Sequence, residues 1–243
     1  MKSAIYWQSD LLEMAYMRIV TWNCSLSLSK KFEHLKSIAP DIAIIQECER
    51  EPEQLPADAQ FLWIGKNFRK GLGVISFGPR ITIDQSYKQH WAFFLPVNIE
   101  GVKLLATWAY NHRAAQLGQG YSGRPLDIFR ELHEWLSLGP AIVAGDFNNS
   151  TIWDKPNGTN NFISIHSELD HLGMASVYHQ HRDEAIGRES QATFFHTRNA
   201  MKRYHIDYIY AAKTAKIKNV IVGEYDPWIS RSDHVPLIAD LDL

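Results

Sequence analysis

Short apolar runs rich in β-branched and aromatic residues recur along the chain, and most have the length of a β-strand rather than a helix. The predicted strands are Arg18 to Trp22, Ile42 to Gln46, Gly73 to Phe77, Lys103 to Ala109, Ala141 to Gly145, Tyr204 to Tyr210, Lys218 to Gly223 and Pro236 to Leu241. Helical spacing falls between some of them. Ser29 opens a capped stretch in which Phe32, Leu35 and Ile38 share a face, and Pro40 ends it. Pro125 opens a second helix with Leu126, Phe129, Leu132, His133 and Leu136 on one face, and Gly139-Pro140 stops it. The order strand, helix, strand therefore occurs twice, and hairpin-like strands fill the remainder. That order predicts an α/β sandwich of two sheets packed face to face with helices outside.

With 243 residues, 45% of them hydrophobic, the chain can bury a full core. No Gly/Ser-rich or Pro-rich linker, low-complexity tract or repeat period divides residues 17–243, which read as one domain. Residues 1–16 form an extension compatible with an ordered arm, a partner-binding segment, or a stretch upstream of a start at Met17. Gln8, Ser9, Asp10 and Glu13 interrupt any signal-peptide core, and no run reaches the ~18 apolar residues of a membrane span. Cys24 and Cys48 lie in no zinc-site spacing and fit the reduced thiols of a cytoplasmic protein. A formal net charge of −2 argues against a protein that coats nucleic acid non-specifically. A local basic face remains: Arg198, Lys202 and Arg203 stand without an acid among Phe194, Phe195, His196 and Tyr204. That segment reads equally as a solvated loop or a substrate-contacting one.

Acid and amide side chains recur where the apolar runs end. They are Asn23, Glu47, Asp146 with Asn148, Asp207, and the pair Asp233-His234. Residues i and i+2 of a strand face the same side, so Asp146 and Asn148 can enter one cleft with Phe147 packed behind and Gly145 turning the backbone before them. The carboxylate can take a proton from water while the amide holds that water or a phosphate oxygen; a simple capping turn would use the same residues. Glu47 offers a hard oxygen ligand of the kind that suits Mg²⁺ or Mn²⁺. His234 can donate to a phosphate oxygen if a carboxylate holds its other nitrogen, and Asp207 is the natural partner. No GxSxG elbow or P-loop competes with this set.

In this order the motifs resemble the endonuclease/exonuclease/phosphatase superfamily, which includes exonuclease III, AP endonucleases, DNase I, inositol polyphosphate 5-phosphatases and neutral sphingomyelinases. The resemblance implies a four-layered α/β sandwich with the site at one edge. It implies Glu47 as main metal ligand, Asn23 near the metal and phosphate, and Asp233 completing the metal shell. Asp146 is then the residue that positions or deprotonates the attacking water, or meets a second ion, with Asn148 orienting the water. His234, held by Asp207, is implied to stabilise charge on the phosphoryl oxygens. One slot departs from the family pattern: where a phosphate-contacting His or Tyr is usual, Trp108 stands nearest, followed by Tyr110, Asn111 and His112. Asn111 matches an Asn that contacts phosphate in the AP endonuclease branch. The expected activity is a Mg²⁺- or Mn²⁺-dependent nuclease, with Arg198 and Arg203 meeting the nucleic-acid backbone. A phosphatase of small phosphorylated molecules and a catalytically dead binding module are the alternatives.

Overall fold

The structure, a computed structural model, describes residues 16–85, 93–109 and 125–243. Most of the N-terminal extension, and Tyr110, Asn111 and His112, lie outside these residues. The first half contains β1 (Met17–Asn23), α1 (Phe32–Lys36), β2 (Ile42–Cys48), β3 (Gln60–Asn67), β4 (Lys70–Ser76), β5 (Ile81–Ile83), β6 (Phe94–Ile99) and β7 (Val102–Trp108). Then come α2 (Pro125–Glu131), α3 (His133–Ser137), β8 (Ala141–Asp146), α4 (Phe162–His171), β9 (Met174–Ser176) and α5 (Val177–Arg182). The last part holds β10 (Phe194–Phe195), β11 (Arg203–Tyr204), β12 (Asp207–Ala212), β13 (Lys216–Val222), α6 (Tyr225–Ile229) and β14 (Leu237–Asp242).

Two six-stranded mixed sheets result, with orders β13-β14-β1-β2-β4-β3 and β5-β6-β7-β8-β12-β9, and β10-β11 forms a separate hairpin. The two strand–helix–strand units give the parallel pairs β1/β2 and β7/β8, which sit in the middle of their sheets. Their continuous apolar runs follow from burial on both faces. On β1 and β2, Ile19, Ile42 and Ile44 enter the core between the sheets, while Val20, Trp22, Ala43 and Ile45 pack outward with Phe32 and Leu35 around α1. On β8, Ile142 and Ala144 face inward and Val143 faces the outer layer built by Phe129, Leu132 and Leu136 with Phe162, Ile165 and Leu169 of α4. The fold is a four-layered α/β sandwich of the DNase I-like type. Each fully buried large apolar side chain in these layers contributes about 1.5–3 kcal/mol.

Several local expectations change. His133 is half-exposed and bonds to Glu168 instead of sharing the apolar face, because the helix breaks at Leu132 (φ −91°, ψ 9°) and hands that face to Trp135 and Leu136. The run Tyr204 to Tyr210 divides into β11 and β12 around His205-Ile206. Gly145 lies inside β8 and does not form a turn. Its φ is +151°, and a Cβ there would lie 1.7 Å from the Thr107 carbonyl oxygen on the neighbouring parallel strand. A glycine is required by that close approach.

Gly145→Ala is therefore expected to destabilise the protein by about 3 kcal/mol or more, or to prevent folding, through overpacking in a closed sheet. Gly78→Ala, where nothing lies within 4 Å of the added atom, is expected to change stability by less than about 0.5 kcal/mol. Urea denaturation of the two variants beside the parent checks both; equal stabilities would show that β7 and β8 separate at little cost.

Candidate active site

At one end of the inter-sheet core the inward-facing rows turn polar. The period of two carries the β1 row Ile19, Thr21 on to Asn23, the β8 row Ile142, Ala144 on to Asp146, and the β12 row Ala211, Ile209 back to Asp207. β8 and β12 pair antiparallel with Asp146 opposite Asp207, so two carboxylates with no exposed surface stand side by side. Glu47 sits where the β2/β4 register shifts, at φ +60°, and this bulge re-aims its side chain toward Asn23.

Asp146 is held by three donors. Its Oδ1 accepts the Asn148 backbone N–H at 2.8 Å, and its Oδ2 accepts Asn148 Nδ2 at 3.0 Å and Asn23 Nδ2 at 3.1 Å. Asn148 reaches back because its backbone is left-handed at φ +46°, while Phe147 packs behind among Phe129, Phe162 and Tyr208. Asn23 Nδ2 also lies 3.5 Å from Glu47 Oε1, and Lys70 Nζ lies 3.1 Å from Glu47 Oε2. His234 Nδ1 meets Asp207 Oδ2 at 2.9 Å. The Phe194 ring lies against the imidazole with centroids 4.6 Å apart, and Ser232 Oγ accepts the His234 N–H while donating to the Asn23 carbonyl.

The charges follow from these contacts. Burial pushes the Asp146 carboxyl up, Asp207 pushes it further, and His234, Asn23 and the Asn148 N–H pull it back, leaving it well above the ordinary carboxylate range. Burial pulls the His234 pKa down, but the charge and hydrogen bond of Asp207, then Asp146 and Asp233, push it to about 9. At neutral pH His234 is thus an imidazolium, with Nδ1–H directed at Asp207 and Nε2–H as its second donor.

The structure brings together Asn23, Glu47, Asp146, Asn148, Asp207 and His234. Asp233 is partly buried, its backbone oxygen accepts the Phe195 N–H, and its charge acts on both His234 and Lys31. At Trp108, where a substrate contact was expected, the side chain is 1% exposed in the inter-sheet core, packed on Phe93 with Lys70 over its ring. Arg198 and Arg203 are exposed on the hairpin segment; Arg198 Nη1 meets the Ser230 carbonyl at 3.4 Å. Lys70, Ser232, Thr193 and Phe194 join the cluster beyond the residues that the sequence points to. Thr193 Oγ1 accepts the N–H groups of Ile206 and Asp207, and its carbonyl accepts the Val235 N–H. Only the Ser-Asp-His turn carried a local sequence signal for any of these.

One ligand atom from each of Asp146, Asp207 and His234 lies within 4.8 Å of the others. His234 Nδ1 is committed to Asp207, so the hard donors of the cluster are oxygens. Glu47 and Asp146 supply hard oxygen donors, with the Asn23 amide turned to both through its Nδ2, and Asp207 Oδ1 is buried without a protein hydrogen-bond partner. This donor set fits Mg²⁺ or Mn²⁺.

Residues 20–234 match the Endonuclease/Exonuclease/phosphatase family, and the chain belongs to that family. Among solved structures it is similar to the 3′-5′ exonuclease NExo from Neisseria meningitidis, with 18% identity over 93% of this chain and 100% of that one and a TM-score of 0.70. A 3′ phosphatase form of NExo bound to product DNA hairpin gives 18% identity, the same coverages and a TM-score of 0.68. An AP endonuclease from Archaeoglobus fulgidus gives 19% identity, again over 93% and 100%, and a TM-score of 0.64. No curated protein matches the chain. Among the described residues no helix is long and apolar enough to cross a membrane.

Because His234 is raised in the folded state above its ordinary value of 6.5, its ion pair adds stability in full below about pH 6.5 and loses it as pH rises through about 9. Asp207→Asn removes the largest upward push, so His234 is expected to titrate lower than in the parent. A pH titration of the imidazole Cε1–H signal by NMR in metal-free protein checks this; an unchanged midpoint in the variant would show that another group carries the shift.

Proposed function

We propose that the protein is a divalent-metal-dependent phosphodiesterase, and that its substrate is a nucleic acid. The reading is carried by one observation: a buried carboxylate, Asp146, held by Asn23 and Asn148 beside an imidazolium oriented by Asp207. Asp146 has the raised basicity to take a proton from an attacking water, and Asn148 orients that water. The His234 Nε2–H stabilises negative charge on the phosphoryl oxygens, with Asp207 fixing the ring. Glu47, with Asn23 beside it and Asp233 completing the shell, is the set that would hold Mg²⁺ or Mn²⁺. When bound, such an ion supplies Lewis-acid polarisation of the phosphoryl group.

Support for nucleic acid comes from the relatives, which include a DNA-bound 3′ phosphatase and an AP endonuclease, and from the hairpin bearing Arg198, Lys202 and Arg203 beside the cluster. The exposed Arg and Lys side chains suit backbone phosphates, and Phe194 and Tyr204 offer rings for stacking. The family match over residues 20–234 supports reading residues 17–243 as one catalytic unit.

Labelled single-stranded, duplex and abasic DNA, RNA and a panel of phosphorylated small molecules, incubated with Mg²⁺, Mn²⁺ or EDTA, test this reading. Cleavage of a polymer is expected with either ion and not in EDTA. Glu47→Ala, Asp146→Ala and His234→Ala are each expected to lose on the order of 100-fold or more in kcat with the circular dichroism spectrum kept. Full activity in EDTA would exclude the mechanism, and turnover confined to small molecules would exclude the nucleic-acid substrate.

A further inference from the structure

The loop after Asn23 has an unusual backbone. Ser25, Leu26 and Ser27 are consecutive non-glycine residues in the left-handed region, at φ +50°, +69° and +53°. Each such conformation is disfavoured for an L side chain, so the run persists only where its surroundings hold it. Two opposite charges do so. Lys31 Nζ donates to the carbonyls of Cys24, Ser25 (3.1 Å) and Leu26 (2.8 Å), matching the three N–H groups of an ammonium to three converging carbonyls. On the other side the Glu49 carboxylate accepts the N–H groups of Leu28 (2.7 Å) and Ser29 (2.8 Å) and the Ser29 hydroxyl.

The bent loop meets the cluster at one point: its Ser25 N–H donates to Asn23 Oδ1 at 3.0 Å. That bond sets which way round the amide lies. With Oδ1 turned to Ser25, Nδ2 is left to face Asp146 Oδ2 and Glu47 Oε1. A relaxed loop would carry the Ser25 N–H away and free the amide to rotate, turning an oxygen toward two carboxylates.

We propose that Lys31, with Glu49, is a positioning residue for Asn23: a clamp on a left-handed loop that holds the Asn23 amide as a donor toward Asp146 and Glu47. With its three N–H groups engaged by carbonyls, the Lys31 ammonium acts through Asn23 and not on the substrate. The inference rests on the phosphodiesterase reading for its kinetic consequences, but the orientation of the amide is independent of it.

The test is a double-mutant cycle with Lys31→Met and Asn23→Ala, run alongside NMR of the Asn23 side-chain amide in metal-free protein. Lys31→Met is expected to lower kcat on the order of 10- to 100-fold with KM little changed, as misplacement of a site group does. In the Asn23→Ala background the same change is expected to cost less than about 2-fold, because the residue through which it acts is gone. Added ammonium or K⁺, seated among the three vacated carbonyls, is expected to restore part of the kcat of Lys31→Met and none in the double variant. The Asn23 amide signals are expected to move in Lys31→Met. Additive losses in the cycle, or amide signals and kcat both unchanged, would overturn the proposal. Should Lys31→Met fail to fold, Glu49→Gln carries the same cycle with the same expectations. Should the parent cleave no phosphoester, the phosphodiesterase reading fails, and the amide signals alone still decide whether Lys31 orients Asn23.

Discussion

Two carboxylates, Asp146 and Asp207, face one another across paired strands with no exposed surface. Like charges placed together and out of water repel and lose their hydration, so the arrangement stands only if neighbouring groups replace what water supplied. Asp146 receives donors from Asn23 and Asn148, and Asp207 receives the His234 imidazolium. Those partners must themselves be held. Ser232 and Phe194 fix His234, and Thr193 ties the Asp207 strand to the segment after His234. Much of the polar architecture at this end of the sandwich answers to that one pair of acids.

The same pair explains the division of labour among the strands. Inward rows that are apolar for most of their length build the core, and their last members build the site, so packing and chemistry share one geometric frame. A side chain at the end of such a row is located by the whole sheet and not by a flexible loop. Asn148 lies just beyond β8 and Glu47 at a bulge within β2, and both reach the cluster through left-handed backbone. At both positions a strained backbone aims the side chain into the site.

Much of this was legible in the sequence. Runs such as Ile42 to Ile45 and Ala141 to Gly145 are apolar at every position because both faces are buried, and they mark strands with acid and amide side chains at their ends. Strand β3 stayed hidden because its residues are only partly buried and its alternation is weak. The break at Leu132 is set by packing of α2 and α3 on the sheet, which a single helical period across Pro125 to Leu136 does not encode. Trp108 occupies the expected place in the chain, yet its side chain continues the inward row Leu104, Ala106 and is buried with it. Lys70 pairs with Glu47 from another strand, and Thr193 meets Asp207 across an irregular hairpin; partners so distant in sequence leave no local spacing to read.

The pairing of β1 with β14 sets Met17 against Leu241, and His234 stands just before β14 while Asn23 ends β1. The polar cluster is therefore closed by β1 and β14, the pairing of longest sequence separation among the described strands and so the one with the most loop to close. During synthesis the ribosome releases Asn23, Glu47 and Asp146 long before His234, and domains complete their folding only when their final strands emerge. A growing chain therefore carries an unfinished cluster until β14 is out, and the order of synthesis sets when the site can assemble.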